Sequence, residues 1–252
     1  MATLLPDGST VRAARALHHE PPLRPAHLWG RPRLAAVLAL GLLAAAVAAR
    51  LDGSALLLQW DRPIERFAEG VRTPALDDYF RAASRLGAAP LVYVAGAVLA
   101  AVAAVRCRAL AIAILVATAG RPFLELGIKA LVDRQRPGTS QLVRGRGPSF
   151  PSGHVMASVA LWGLVPAVVA LYTHRRAVWW AVVGLMGVVV LSIAACRVYL
   201  GVHWATDAVA GLVVGAFGLA ALDRLMVRVH RSPRLAEWCC RCPGDHLHAP
   251  PG

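Results

Sequence analysis

The residues able to do chemistry in this 252-residue chain fall into three short polar clusters, each set against the end of an apolar run. The first is "KALVDRQRP", 129–137, with Lys129 and Arg136. The second is "PSGH", 151–154, with Ser152, Gly153 and His154. The third, "CRVYLGVHWATD" at 196–207, holds Arg197, His203 and Asp207. Lys129, Arg136 and Arg197 supply three fixed positive charges, and a guanidinium fork suits an oxyanion. A Ser-Gly pair at a helix start adds a hydroxyl and backbone N–H groups aimed at an anion, and glycine lets the backbone come close. Together these make a phosphate cradle. His154 and His203 are a pair that can act as nucleophile and general acid. Asp207 follows His203 by four residues, one helical turn if a helix has begun by then. There it can accept the imidazole N–H and leave the other ring nitrogen free to attack.

The cations can neutralise developing charge themselves, so neither a metal nor another cofactor is expected. A dinuclear metal site would need several Asp, Glu and His ligands together, and outside the motifs only Asp133 lies nearby. Each residue also has a plainer reading: Lys129 snorkelling to an interface, Ser152 as a helix cap, Arg197 as an interfacial anchor. Their meeting on one side of the molecule favours the functional reading, because ionisable groups at membrane depth are expensive. Around the clusters, Glu125 precedes Lys129 by four and can hold it in place, or pair with Arg121 instead. Arg144 and Arg146 either steer an anionic headgroup or sit in solvent, and Arg134 has no assigned role.

The elements that must position these residues are membrane spans. The chain is 57% hydrophobic and only 16% charged, well off the balance of a soluble domain. A span needs about 20 mostly apolar residues, and six stretches qualify: 34–51, 89–106, 109–128, 155–173, 177–195 and 207–226. The fold class is therefore all-α, an integral membrane bundle of six transmembrane helices. Between the first two spans, Ile64, Phe67, Ala68 and Val71, then Leu76, Tyr79, Phe80 and Ala83, recur at helical spacing. Asp61 with Pro63, and Thr73 with Pro74, resemble helix starts. Two short amphipathic helices on the outer membrane surface follow, serving as a lipid-access wall or as packing over the bundle.

The net charge of +13 comes from 27 basic and 14 acidic residues. The arginines gather at the ends of apolar runs rather than on one domain face, which argues against a nucleic-acid partner. Arg12, Arg15, Arg24, Arg31 and Arg33 precede the first span; "RCR" at 106–108, "HRR" at 174–176 and the tail arginines fall on the same side. Both termini should then be cytoplasmic, in the cell membrane, with the three clusters on the extracytoplasmic side. Residues 1–33 read as a disordered basic arm, 34–226 as the six-span domain, and 227–252 as a cytoplasmic tail. No cleavable signal precedes the first span. In the tail, Cys239, Cys240 and Cys242 lack the separated pairs of a zinc site. Gly211 and Gly215 form a small-xxx-small pair suited to packing helices within one bundle.

In order, K-x6-RP, PSGH and R-x5-H-x3-D resemble the tripartite signature of the phosphatidic acid phosphatase type 2 superfamily. The resemblance covers roughly 34–226. It implies that Lys129, Arg136, Ser152, Gly153 and Arg197 bind phosphate. It implies that His203 is the nucleophile forming a phosphohistidine, that Asp207 orients it, and that His154 protonates the leaving oxygen and then helps water attack. One departure is Cys196 before Arg197, where the family usually has serine; a thiol is the weaker donor. The function implied is metal-independent hydrolysis of a lipid phosphate or diphosphate presented by the bilayer, such as phosphatidic acid, phosphatidylglycerol phosphate or undecaprenyl diphosphate. A lipid phosphotransferase using the same phosphohistidine is the alternative, ahead of a non-enzymatic lipid-binding or transport protein.

Overall fold

The computed structural model describes residues 55–138, 141–173 and 175–232, with positions 40, 41, 43, 44, 47 and 50, all helical. The expected arm at 1–33, most of the expected first span, and the tail cysteines lie outside the described residues. From residue 55 every element is an α-helix: α1 Ala55–Gly70, α2 Pro74–Arg85, α3 Ala89–Ala104, α4 Arg108–Val132, α5 Gly153–Trp162, α6 Val165–Ala170, α7 Arg176–Tyr199 and α8 Ala205–Arg231.

Four segments among these are long and apolar enough to cross a bilayer: α4, Gly153–Ala170, α7, and Ala205–Val229 of α8. A fifth is the pair α2 and α3, bent by 49°. Alone, the 16 residues of α3 rise roughly 24 Å, short of the hydrocarbon thickness. The expected span at 155–173 is broken between α5 and α6. Pro166 has no N–H for the carbonyl of Trp162 and would crowd it, so the first helix stops there.

The two helices expected in the 52–88 segment are present, with one start misplaced. Thr73 caps α2, its side chain accepting from the Leu76 N–H with Pro74 in the first turn. Asp61 caps nothing, because α1 begins at Ala55 and carries Asp61 and Pro63 inside it. The face α1 turns inward is that of Leu57, Asp61 and Ala68, whereas Trp60, Ile64 and Phe67 are exposed. The acid faces the bundle and the large apolar side chains face outward, as suits lipid surroundings.

At the centre stands α5, buried at every position from Val155 to Leu161 and packed by α3, α4, α7 and α8. The approach of α8 is set by two glycines: a Cβ on Gly211 would lie 2.9 Å from the Ser152 carbonyl oxygen, and one on Gly215 would lie 2.7 Å from Val159 Cβ. The small-xxx-small pair thus packs helices within one chain. Gly215→Val should lower the thermal unfolding midpoint in detergent, at a cost of about 1–3 kcal/mol for overpacking. Combined with Val159→Ala, little of that loss should be recovered, because the closest clash is with the Cβ that alanine keeps.

Candidate active site

The C-terminal ends of α4 and α7 and the N-terminal ends of α5 and α8 meet at one end of the bundle, and the chemistry-bearing residues come with them. Lys129 is in the last turn of α4, which closes at Asp133 in a left-handed conformation with φ 45°. Gly153 and His154 open α5, and Arg197 is in the last turn of α7. Gly201, with φ 69°, turns the chain toward His203, a conformation that costs glycine little. Asp207 is in the first turn of α8.

These elements surround a cavity of about 350 Å³. Lys129, Arg136, Gly153, His154, Arg197 and His203 all line it, as do Arg121, Arg144 and Arg146, against the single acid Glu125. Six cations facing one carboxylate make it a receptor for an anion carrying more than one charge. The site residues Ser152 and Asp207 stand apart from that lining. Both are fully buried, and the Ser152 N–H donates to the Asp207 carbonyl at 3.1 Å. Ser152 opens α5 without a side-chain cap bond, and its Oγ has no partner.

His203 is held from both sides of its ring. Its Nε2 lies 3.2 Å from Arg136 Nη1, and its Nδ1 lies 3.5 Å from Asp207 Oδ2. A guanidinium only donates, so the contact with Arg136 requires Nε2 to carry the lone pair. The ring proton then belongs on Nδ1, which faces the carboxylate without making a hydrogen bond to it in this geometry. This is the tautomer a nucleophilic Nε2 needs. Burial of the ring is the largest cause of a pKa lowered to about 4; Arg197 and Arg136 push the same way, and Asp207 opposes them.

The cations are already partnered internally. Arg136 donates from Nε to Gly147 O at 2.9 Å, from Nη1 to Val202 O at 2.6 Å, and from Nη2 to Arg146 O at 2.8 Å. It therefore stitches the 141–148 loop to the turn before His203. Gly147, with φ 63°, allows the bend that presents its carbonyl. Lys129 donates to Pro148 O at 2.8 Å and pairs with Glu125 at 3.4 Å. Glu125 also pairs with Arg121, so both sequence readings of Glu125 hold together. Its carboxylate packs against Gly153 so closely that a Cβ there would overlap it. Arg197 donates to Ser84 Oγ of α2 at 2.7 Å. A hydroxyl from another helix thus braces this arginine, while Cys196 Sγ is turned back on Ile193 O at 3.0 Å.

Sequence reasoning missed Asp61 and Ser84, and assigned no role to Arg134. The Arg134 side chain is buried between two carboxylates, Asp61 and Asp207, at 2.7 Å each. Asp61 stands in a helix with several other charged residues, where an acid reads as solvated, and Pro63 beside it suggests a helix start. Ser84 carried no signal beyond lying on α2. Arg144 and Arg146 belong to the cavity wall, which favours the first of their two readings. Among the described residues, no group of three or more His, Cys, Asp or Glu side chains is disposed to hold a metal ion.

Residues 109–231 match the family model described as PAP2 superfamily. Phosphatidylglycerophosphatase B of Bacillus subtilis (strain 168) is 33% identical over 106 residues, 40% of this chain and 48% of that protein. The chain thus spans about half the length of this relative. Among solved structures, a transmembrane PAP2-type phosphatidylglycerolphosphate phosphatase from Bacillus subtilis superposes with TM-score 0.66 at 23% identity, covering 80% of this chain and 98% of the other. LpxE of Aquifex aeolicus superposes with TM-score 0.51 at 17% identity, covering 67% and 95%. These two likenesses are of fold.

The depressed pKa of His203 can be read directly. In detergent-solubilised protein with 15N-labelled histidine, the His203 ring, assigned by comparison with His203→Gln, should be neutral at pH 6 and titrate near about 4. A midpoint at the ordinary imidazole value near 6.5 would mean that the ring is wet.

Proposed function

We propose that the chain, whose residues 109–231 match the PAP2 superfamily, is a member of that family and an integral membrane phosphatase releasing phosphate from lipid phosphates or diphosphates, without a metal. The observation that carries this is His203, buried and neutral, with Nε2 turned to Arg136 at the wall of a cavity of six cations. A binding or transport site has no need of an imidazole with its lone pair held by an arginine at the cavity wall.

The proposed reaction has two displacements. With the phosphate held by Lys129, Arg136, Arg197 and the N–H groups at the start of α5, Nε2 of His203 attacks phosphorus. A P–N bond forms as the P–O bond to the lipid breaks. His154, also on the cavity wall, gives its proton to the departing oxygen. It then takes one from a water that attacks the phosphohistidine, so the P–N bond breaks and phosphate leaves. Asp207 stabilises the charge on His203 through Nδ1. Ser152, fully buried behind the start of α5, supports the helix end that presents those N–H groups. Internal acceptors now bonded to the cations, the Pro148 carbonyl and Glu125 among them, would give way to phosphate oxygens.

We place the site on the extracytoplasmic face of a six-span bundle, with both termini in the cytoplasm. In support, Arg106, Arg108, Arg175 and Arg176 flank helix ends away from the cavity, as cytoplasmic loops do. A lipid phosphate in the outer leaflet is then the substrate, and phosphatidylglycerol phosphate, the substrate in the names of the two Bacillus relatives, is the first to try. Arg144 and Arg146 add charge for a second phosphate group.

Purified protein in detergent should release phosphate from one or more of phosphatidylglycerol phosphate, phosphatidic acid and undecaprenyl diphosphate, with the rate unchanged by EDTA. His203→Gln should lower kcat by at least about 10³-fold. Arg197→Gln should chiefly raise KM. Full activity in His203→Gln, or strong inhibition by EDTA, would overturn this mechanism.

A further inference from the structure

Asp61 touches no part of the cavity and stands outside the residues that match the family, yet it makes three polar contacts with the machinery behind His203 and reaches Asp207 through a shared partner. Its Oδ2 accepts from Arg134 Nη2 at 2.7 Å and from Thr206 Oγ1 at 2.6 Å. Its Oδ1 accepts from the Thr206 backbone N–H at 2.9 Å. The shared partner is Arg134, whose Nη1 donates to Thr206 Oγ1 at 2.8 Å and to Asp207 Oδ1 at 2.7 Å. Asp61 is 1% exposed and Asp207 fully buried, so no water competes for these donors.

We infer that Asp61 is a positioning residue for the proposed reaction, acting by dividing the Arg134 fork between two carboxylates. A guanidinium facing one carboxylate takes both of its oxygens in a bidentate pair. Asp61 occupies Nη2 and leaves Arg134 only one arm for Asp207, on Oδ1. The other oxygen, Oδ2, stays available for the Trp204 N–H at 2.9 Å and for His203 Nδ1 at 3.5 Å. Asp61 also satisfies the orphan N–H of Thr206 in the first turn of α8, fixing the turn that carries Asp207. Without the Asp61 charge, the freed Nη2 would turn to Asp207 Oδ2, and His203 Nδ1 would lose the carboxylate oxygen it faces at 3.5 Å, leaving Arg136 alone to hold the tautomer.

The inference rests on the phosphatase reading, and the test separates the two. Asp61→Asn keeps the volume and one acceptor for Thr206 but removes the charge. In folded, monodisperse protein, its kcat should fall on the order of 10–100-fold, the size expected when a reacting group is slightly misplaced. KM should hold, since Asp61 does not meet substrate. The 15N ring signals of His203, near-pure Nδ1–H in the parent protein, should become a tautomer mixture; a merely structural acid would lower the unfolding midpoint without that change. Unchanged kcat and an unchanged tautomer in Asp61→Asn would overturn the inference. Should Asp61→Asn not yield folded protein, Arg134→Lys decides, since an ammonium cannot bridge the two acids as a fork does. It should likewise lower kcat and mix the tautomers, and parent values for both would overturn the inference. If the parent protein releases no phosphate from any lipid in the panel, the phosphatase reading fails, and the tautomer alone still judges Asp61.

Discussion

A guanidinium taken out of water must be met by anions, and Arg134, its side chain 2% exposed, meets two that are more buried still. The three groups come from separate parts of the chain: Asp61 from α1, Arg134 from the loop after α4, Asp207 from the first turn of α8. None can be buried without the others, because removing one member of such a set typically costs about 3–5 kcal/mol. The requirement therefore fixes where α1 crosses and how deeply α8 begins. Trp204 covers the guanidinium, its ring 5.5 Å away, and its indole N–H donates to Gln135 O at 2.9 Å. The loop carrying Arg136 is thereby tied to the same point.

From that anchor the site is built outward by backbone carbonyls. Ser149 donates through its N–H to Arg134 O at 2.7 Å, and Leu142 donates to Leu200 O at 3.0 Å. Arg136 gathers the carbonyls of Arg146, Gly147 and Val202 about one side chain. The 141–152 stretch has no regular structure, and these bonds pin it to the helices around it. A cavity walled this way presents charge in fixed directions, which is what electrostatic stabilisation of a transferring phosphoryl group demands.

The sequence made the front of the site legible and left its back obscure, for a physical reason. Lys129, Arg136, Gly153, His154, Arg197 and His203 all line one cavity, so their types and spacing carry the mark of a shared place. Asp61 and Ser84 face only other side chains. Nothing in "LLLQWDRPIE" says that Asp61 will be buried 73 residues from Arg134, and Pro63 points to a different local structure. The mixed outward face of α1 compounds this: Trp60, Ile64 and Phe67 are exposed beside Arg62 and Arg66, so the pattern does not point to the inward side. Span ends were misjudged where proline acts, at Pro166, and where the sequence has no break, as in α4, which runs on to Val132.

The size of the cavity bears on what can be selective in the proposed reaction. About 350 Å³ is near the small end for a ligand pocket, room for a phosphate or diphosphate head but not for acyl or prenyl chains. Those chains must stay among the helices and in the bilayer while the head reaches His203. The walls they would pass are α2 and the bend before α3, where a Cβ on Gly87 would lie 3.0 Å from the His154 carbonyl oxygen and Trp162 donates to Leu86 O at 3.1 Å. Arg197 is braced by Ser84 on the same helix. A lipid pressing on α2 therefore presses on a phosphate-facing arginine and on the helix of the proposed acid. Lipid selectivity in such a site would show in kcat as well as in KM, because the element that meets the tail also positions groups that meet the phosphate.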